Sequence, residues 1–173
     1  MAFKLTMKIL ILGNKGSGKT TAAKILKNQF GLEYSDSSVF CCEKIVYPAL
    51  KDKYGYKSWQ ECQADVDNHR VEWEQEIFKY NTPNRDRVAK ELLEFNDVYA
   101  GMRNHLEYEA SAPLFDLKLW VDASIRNPTI DESMSIPYNA IEMGFLDNNR
   151  GKAFLRSQIY EYVPDYLMRI NED

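Results

Sequence analysis

MKILILGNKGSGKTTAAKIL, residues Met7 to Leu26, decides how this chain folds. The apolar run up to Gly13 suits a parallel strand buried on both faces. Lys19 to Phe30 has helical spacing through Ala22, Ala23, Ile25, Leu26 and Phe30, and Gly31 stops it. Between them Gly13-Asn14-Lys15-Gly16-Ser17-Gly18-Lys19-Thr20 matches G-x-x-x-x-G-K-[ST], in the strand-to-helix setting the motif requires. Glycines let backbone N–H groups turn toward phosphates, and the helix N-terminus adds positive potential. Lys19 reaches the β and γ oxygens, while the Thr20 hydroxyl takes a Mg²⁺ position, with Thr21 beside it. The stretch is therefore a nucleoside triphosphate site, and ATP with Mg²⁺ is the expected cofactor pair.

Working outward, strand-like and helix-like segments alternate. Leu32 to Ser35 is a short second strand, followed by an N-cap cluster at Asp36-Ser37-Ser38 and the apolar-rich VFCCEKIVYPAL. A long charged helix is predicted from Ser58 to Tyr80, broken by Pro83, and another over Arg85 to Phe95. Asp97 to Gly101 and Leu117 to Val121 read as strands, with a helix over Met102 to Ala112 between them. Ser124 to Pro137 is a loop or lid by composition, Ile141 to Leu146 is a weaker strand interrupted by Gly144, and Gly151 to Val163 is a closing helix. This alternation predicts a parallel α/β sheet.

The 173 residues, 45% hydrophobic, predict one domain over 1–173 with a single core. A net charge of −4 with scattered Lys and Arg gives no surface that would track a nucleic-acid backbone, so no nucleic-acid partner is expected. Cys41, Cys42 and Cys62 are an odd set without CxxC spacing, consistent with reduced thiols in a cytoplasmic protein. The N-terminal apolar run is too short for a signal peptide or a membrane span, and no membrane partner is expected.

Which phosphate-binding class is this? Guanine recognition normally uses N-K-x-D, and the one Asn-Lys pair, Asn14-Lys15, lies inside the loop itself. A motor-type ATPase would place carboxylates at the end of a neighbouring strand, whereas DVYAG carries Asp97 at its start. A small-molecule kinase remains, and its acceptor pocket needs cations. Arg70 falls in the apolar stripe of Val66, Trp73, Ile77 and Tyr80, and suits either a phosphate fork or a pair with Glu74 or another carboxylate. Trp73 and Tyr80 alone read as core, and Trp73 is also a candidate for contact with the acceptor. Arg103 follows the carboxyl end of a strand, where open α/β sheets bind ligands; the alternative is an i, i+4 pair with Glu107. Arg126 opens the lid segment and could swing over ATP. Asp36 is a helix cap or a nucleotide or metal-water contact. His69 and His105 have no metal-ligand spacing.

The phosphate loop together with HRVEWEQEIFKYN, DVYAGMRNHLEYEA, LFDLKLWVDASIR and LDNN resembles the phage-type deoxynucleoside monophosphate kinases, relatives of adenylate kinase. The resemblance runs roughly from Met7 to Val163. It implies an α/β P-loop kinase fold with a five-stranded parallel sheet, a helical acceptor-binding region over 36–95 and a short lid over 124–137. It also implies transfer of the ATP γ-phosphoryl to a nucleoside monophosphate, by a monomer or homodimer in the host cytoplasm. Lys19 and Thr20 would serve ATP and metal, Arg70 and Arg103 the acceptor phosphate, Glu107 the acceptor and Arg126 the lid; Asn148 and Asn149 fall near the expected ATP base. The lid departs from larger adenylate kinases in carrying one arginine. Two alternatives stand beside this reading: a P-loop kinase with a hydroxyl acceptor (dephospho-coenzyme A kinase-like, or a modified-base kinase), and a nucleotide-binding protein without turnover.

Overall fold

Ile9–Leu12 forms β1 at the centre of the sheet, every residue fully buried. The computed structural model describes residues 7–170, with side chains as far as Pro164. Four further parallel strands flank β1: β2 (Tyr34–Asp36), β3 (Val98–Ala100), β4 (Leu117–Asp122) and β5 (Gly144–Asp147), in the order β2-β3-β1-β4-β5. Ile11 pairs with Ala100 on one side, and Leu12 with Trp120 on the other.

The period of two along β1 splits the core into two layers. Ile9 and Ile11 pack with Ala22, Leu26, Leu155 and Ile159, beneath α1 (Lys19–Phe30) and α8 (Lys152–Ile170). Leu10 and Leu12 pack with Cys41, Val46, Trp73, Leu92 and Tyr99 on the opposite face. That face is covered by the segment between β2 and β3. It contains α2 (Ser37–Cys41), a π-helical turn at Cys42–Val46, α3 (Tyr47–Tyr54), α4 (Trp59–Ala64), α5 (Arg70–Tyr80) and α6 (Arg87–Leu93). After β3 comes α7 (His105–Ser111). The three cysteines are buried free thiols.

Three sequence expectations need correction. The long helix over 58–80 is two helices, α4 and α5, joined by a 3₁₀ turn at Val66–Asn68. At the break the Asp65 carboxylate accepts from Tyr56 Oη at 2.7 Å and Asn68 Nδ2 at 2.5 Å, local bonds that compete with a continuous helix. The helix expected from Met102 begins at His105, because Asn104 Oδ1 accepts from the Leu106 and Glu107 backbone N–H groups and caps it there. The last strand starts at Gly144 and omits Ile141, which is 96% exposed. Gly144 is required at its first position, since a Cβ there would lie 2.7 Å from the Tyr162 ring.

Among the described residues no helix is long and apolar enough to cross a membrane.

Candidate active site

The loop between β1 and α1 lies at the carboxyl end of the central strand, where open α/β sheets place ligands. Gly13, Gly16 and Gly18 all have positive φ (144°, 74° and 103°), conformations that turn successive N–H groups inward. Side chains at Gly16 and Gly18 would also run into Asn127 and Asn148. Lys19 folds back over the loop and donates from Nζ to the carbonyls of Gly13 (2.7 Å) and Asn14 (2.8 Å). Burial lowers the Lys19 pKa to about 8, helped by the Arg103 charge and opposed by Asp131 and Asp36. Buried Ser17 Oγ has no hydrogen-bond partner among the described residues, a free polar group inside the cradle.

Thr20 Oγ1 donates to Asp36 Oδ2 at 3.2 Å, while Asp36 Oδ1 caps α2 by accepting from Ser38 N and Oγ. A hydroxyl and a carboxylate of this kind are hard oxygen donors suited to Mg²⁺, which keeps most of its ligands as water or phosphate oxygen. Thr21 follows, half-buried, in the first turn of α1. No group of three or more His, Cys, Asp or Glu among the described residues could hold a metal alone. His69 instead faces Asp65 and Glu72, and His105 faces Glu109.

The β5–α8 loop and the segment after β4 close around the cradle. Asn148 is buried and donates from Nδ2 to Ser17 O at 2.7 Å. Asn149 Oδ1 accepts from the Ile125 and Arg126 N–H groups. Arg126 donates from Nε to Asn148 O at 2.6 Å and from Nη2 to Ser17 O at 3.5 Å, so its guanidinium lies on the cradle rim. Asn148 thus binds protein backbone, and Asn149 binds backbone together with the Asp122 and Asp147 carboxylates.

The segment over 124–137 has no regular structure but is tied down. Asn127 Nδ2 donates to Lys15 O at 3.1 Å, and Lys15 N donates to Asp131 Oδ2 at 2.7 Å. Arg103 Nη1 donates to Asp131 and to Ser133 Oγ (2.7 Å), and Ser135 N donates to Arg103 O (2.9 Å). A cavity of about 400 Å³ lies between this segment and the loop, lined among others by Asn14, Lys15, Ser17, Asp122 and Pro128.

Beside the cradle is a second cavity of about 330 Å³, which brings together Arg70, Trp73, Tyr99, Arg103 and Glu107. Arg70, read as either a phosphate fork or an ion-pair partner, pairs with Asp67 at 3.4 Å, at the surface, and not with Glu74. Asp67 also accepts from Lys15 Nζ at 2.8 Å, so Arg70 stands at the cradle end. Trp73 is buried and its Nε1 has no partner among the described residues. Arg103 pairs with Asp131 and not with Glu107. Glu107, only 6% exposed, accepts from Tyr99 Oη at 2.7 Å. Burial raises its pKa to about 7 against the lowering effect of that bond.

Sequence reading missed Asp131, Ser133, Tyr99 and Asn81, all of which touch the cradle or line the second cavity. Asp131 and Ser133 form a local turn, Ser133 N and Oγ donating to Asp131 Oδ1, which the D-x-S pattern signals; nothing local signals the contacts with Lys15 and Arg103.

No protein-family model matches the chain, and no curated protein matches its sequence. Three solved structures to which it is similar are kinases. A gluconokinase from Sinorhizobium meliloti 1021 is 11% identical, over 96% of this chain and 98% of that one, at a TM-score of 0.48. A sugar kinase from Janibacter sp. HTCC2649 is 14% identical, over 94% and 98%, at 0.47. A shikimate kinase from Acinetobacter baumannii, in complex with shikimate, is 16% identical, over 96% and 82%, at 0.42. The topology and the β1–α1 cradle define the class: an α/β protein with a five-stranded parallel sheet flanked by helices and a P-loop at the carboxyl end of its central strand.

Proposed function

We propose that the chain is an ATP- and Mg²⁺-dependent kinase that phosphorylates a (deoxy)nucleoside monophosphate to the diphosphate. The observation that carries this reading is the composition of the 330 Å³ cavity: Arg70, Arg85 and Arg103 line it, the first and last linked to the cradle's Lys15 through Asp67 and Asp131, with the exposed Phe78 and the buried rings of Trp73 and Tyr99. Guanidinium forks match a phosphate, and aromatic rings offer packing surface for a base. In this reading 1–173 is one kinase domain, 36–95 is the acceptor-binding region and 124–137 is the lid. Lys19 neutralises the transferring phosphoryl, Arg103 bridges the donor and acceptor sides, and Arg126 braces the nucleotide from the rim. Glu107 and Trp73 contact the acceptor. Thr20 and Asp36 would hold Mg²⁺, which when bound offsets charge on the β and γ oxygens. A monophosphate oxygen is ionised near neutral pH, so no general base is required, consistent with Asp36 acting as a helix cap. The expected setting is the cytoplasm, with a small-molecule partner and no nucleic acid or membrane.

Arg70→Ala and Arg103→Ala test the acceptor assignment. Each should cost on the order of 2–4 kcal/mol in kcat/KM for the monophosphate, with ATP affinity little changed for Arg70→Ala. If acceptor kinetics are unaffected by both, the cavity is not the phosphate subsite.

One observation favours a second reading, a hydroxyl acceptor: the Asp36 carboxylate sits 3.2 Å from the Thr20 hydroxyl, close to where transfer would occur. A hydroxyl must lose a proton, and Asp36 is the carboxylate at hand. Asp36→Asn separates the two. The monophosphate reading expects weaker nucleotide or metal binding and no new pH dependence. Near-total loss of turnover, with a wild-type rate that rises through one acidic pKa absent in the variant, would establish the hydroxyl reading instead.

A further inference from the structure

We propose that Asp131 is an internal competitor for the transferring phosphoryl group: its carboxylate takes the seat between the Lys15 N–H and the Arg103 guanidinium that this group needs. The inference rests on the reading of the cradle as a nucleoside triphosphate site.

Asp131 lies in a loop whose neighbour Ile130 is 86% exposed, yet its own side chain is 5% exposed. It is held by both oxygens. Oδ2 accepts the Lys15 backbone N–H at 2.7 Å and pairs with Arg103 Nη1. Oδ1 accepts from Ser133 Oγ at 2.6 Å and Ser133 N at 3.3 Å. Burial alone would raise its pKa, but the Ser133 bond and the Arg103 charge outweigh it and hold the carboxyl below the ordinary range. It is an anion at neutral pH. Its field also reaches Lys19, where it opposes the loss of the ammonium proton.

The groups that bind or feel this carboxylate are those a phosphoryl group requires: a phosphate-loop N–H and an arginine that also lines the second cavity in contact, and the motif lysine within reach of its charge. A well-aligned N–H bond has one acceptor, and two anions within a few ångströms of each other repel. Binding of a γ-phosphate and the Asp131–Lys15 contact are therefore mutually exclusive. When phosphate takes the seat, Asp131 must withdraw, the 124–137 segment must shift with it, and Arg103 passes from the carboxylate to the phosphate. Asp131 thus keeps Arg103 aimed at the transfer position and makes the segment's placement depend on the presence of phosphate.

The test is calorimetric binding of a non-hydrolysable ATP analogue with Mg²⁺ to the full chain, without acceptor. Asp131→Asn, nearly isosteric, should bind about 10-fold tighter than wild type. Ser133→Ala, which loosens the carboxylate and keeps its charge, should tighten binding in the same direction by less. Asp67→Asn is the control for general charge, because Asp67 takes the same lysine through Nζ and not through the backbone N–H. It should change affinity by no more than about twofold. A gain in affinity is a readout that damage to the fold does not produce. Equal or weaker binding by Asp131→Asn, or an equal gain from Asp67→Asn, overturns the competition while leaving the kinase reading in place. No nucleotide binding by wild type would overturn both.

Discussion

Glu107 shows what burial in the wall of the 330 Å³ cavity asks of a single side chain. Burial raises its pKa to about 7 in the folded protein, against an ordinary value of 4.5. Between those values the folded chain keeps a proton that the unfolded chain has released, so stability falls as pH rises through the window and levels off above it. Glu107→Gln, which retains an oxygen to accept from Tyr99, removes that dependence. The variant should therefore melt higher than wild type at pH 8, with an advantage on the order of 2 kcal/mol larger than at pH 5. A melting difference that does not change with pH would show that Glu107 is not neutralised by folding. Lys19 makes the complementary case. With its ammonium weakened to a pKa of about 8, triphosphate binding should restore the proton. At about pH 8.5, binding should take up a fraction of a proton in wild type and none in Lys19→Ala, read by calorimetry in buffers of different ionisation enthalpy.

Gly101 joins β3 to the segment that carries Arg103, and its φ of 105° is a conformation few L-residues adopt. A Cβ would also lie 2.7 Å from Ser37 Oγ at the start of α2. Gly101→Ala should cost about 1–3 kcal/mol, seen as a lower denaturant midpoint at constant slope, and should raise KM for the acceptor as Arg103 shifts. An unchanged midpoint would mean that the turn does not constrain Arg103. Elements of this kind were legible where pattern and punctuation agreed. Ile9–Leu12, the glycine loop and α1 follow from a continuous apolar run, fixed spacing and a stop at Gly31. The division between α4 and α5 was not legible, because it depends on Asp65 meeting Tyr56, a tyrosine outside the periodic stretch.

Across the whole chain, Arg70, Trp73, Arg103 and Glu107 line one cavity, and Lys19, Arg126 and Asn148 meet at the β1–α1 loop, but the partners of these residues differ from those the sequence suggests. Arg103 is 28 residues from Asp131, and Lys15 is 116 from it; no local pattern joins these three, so the shared anion position appears only in three dimensions. Arg70 and Arg103 could be noticed as cations in unusual contexts, whereas the carboxylates that hold them could not. The proposed activity requires a phosphate acceptor, and one comparison isolates that point. ADP formation in a coupled assay should be measured with each deoxynucleoside monophosphate and with the matching deoxynucleoside, which has the same base and sugar but offers only hydroxyls. The account predicts turnover with one or more monophosphates and none with any nucleoside. Turnover with nucleosides or other hydroxyl compounds, and none with monophosphates, would contradict it.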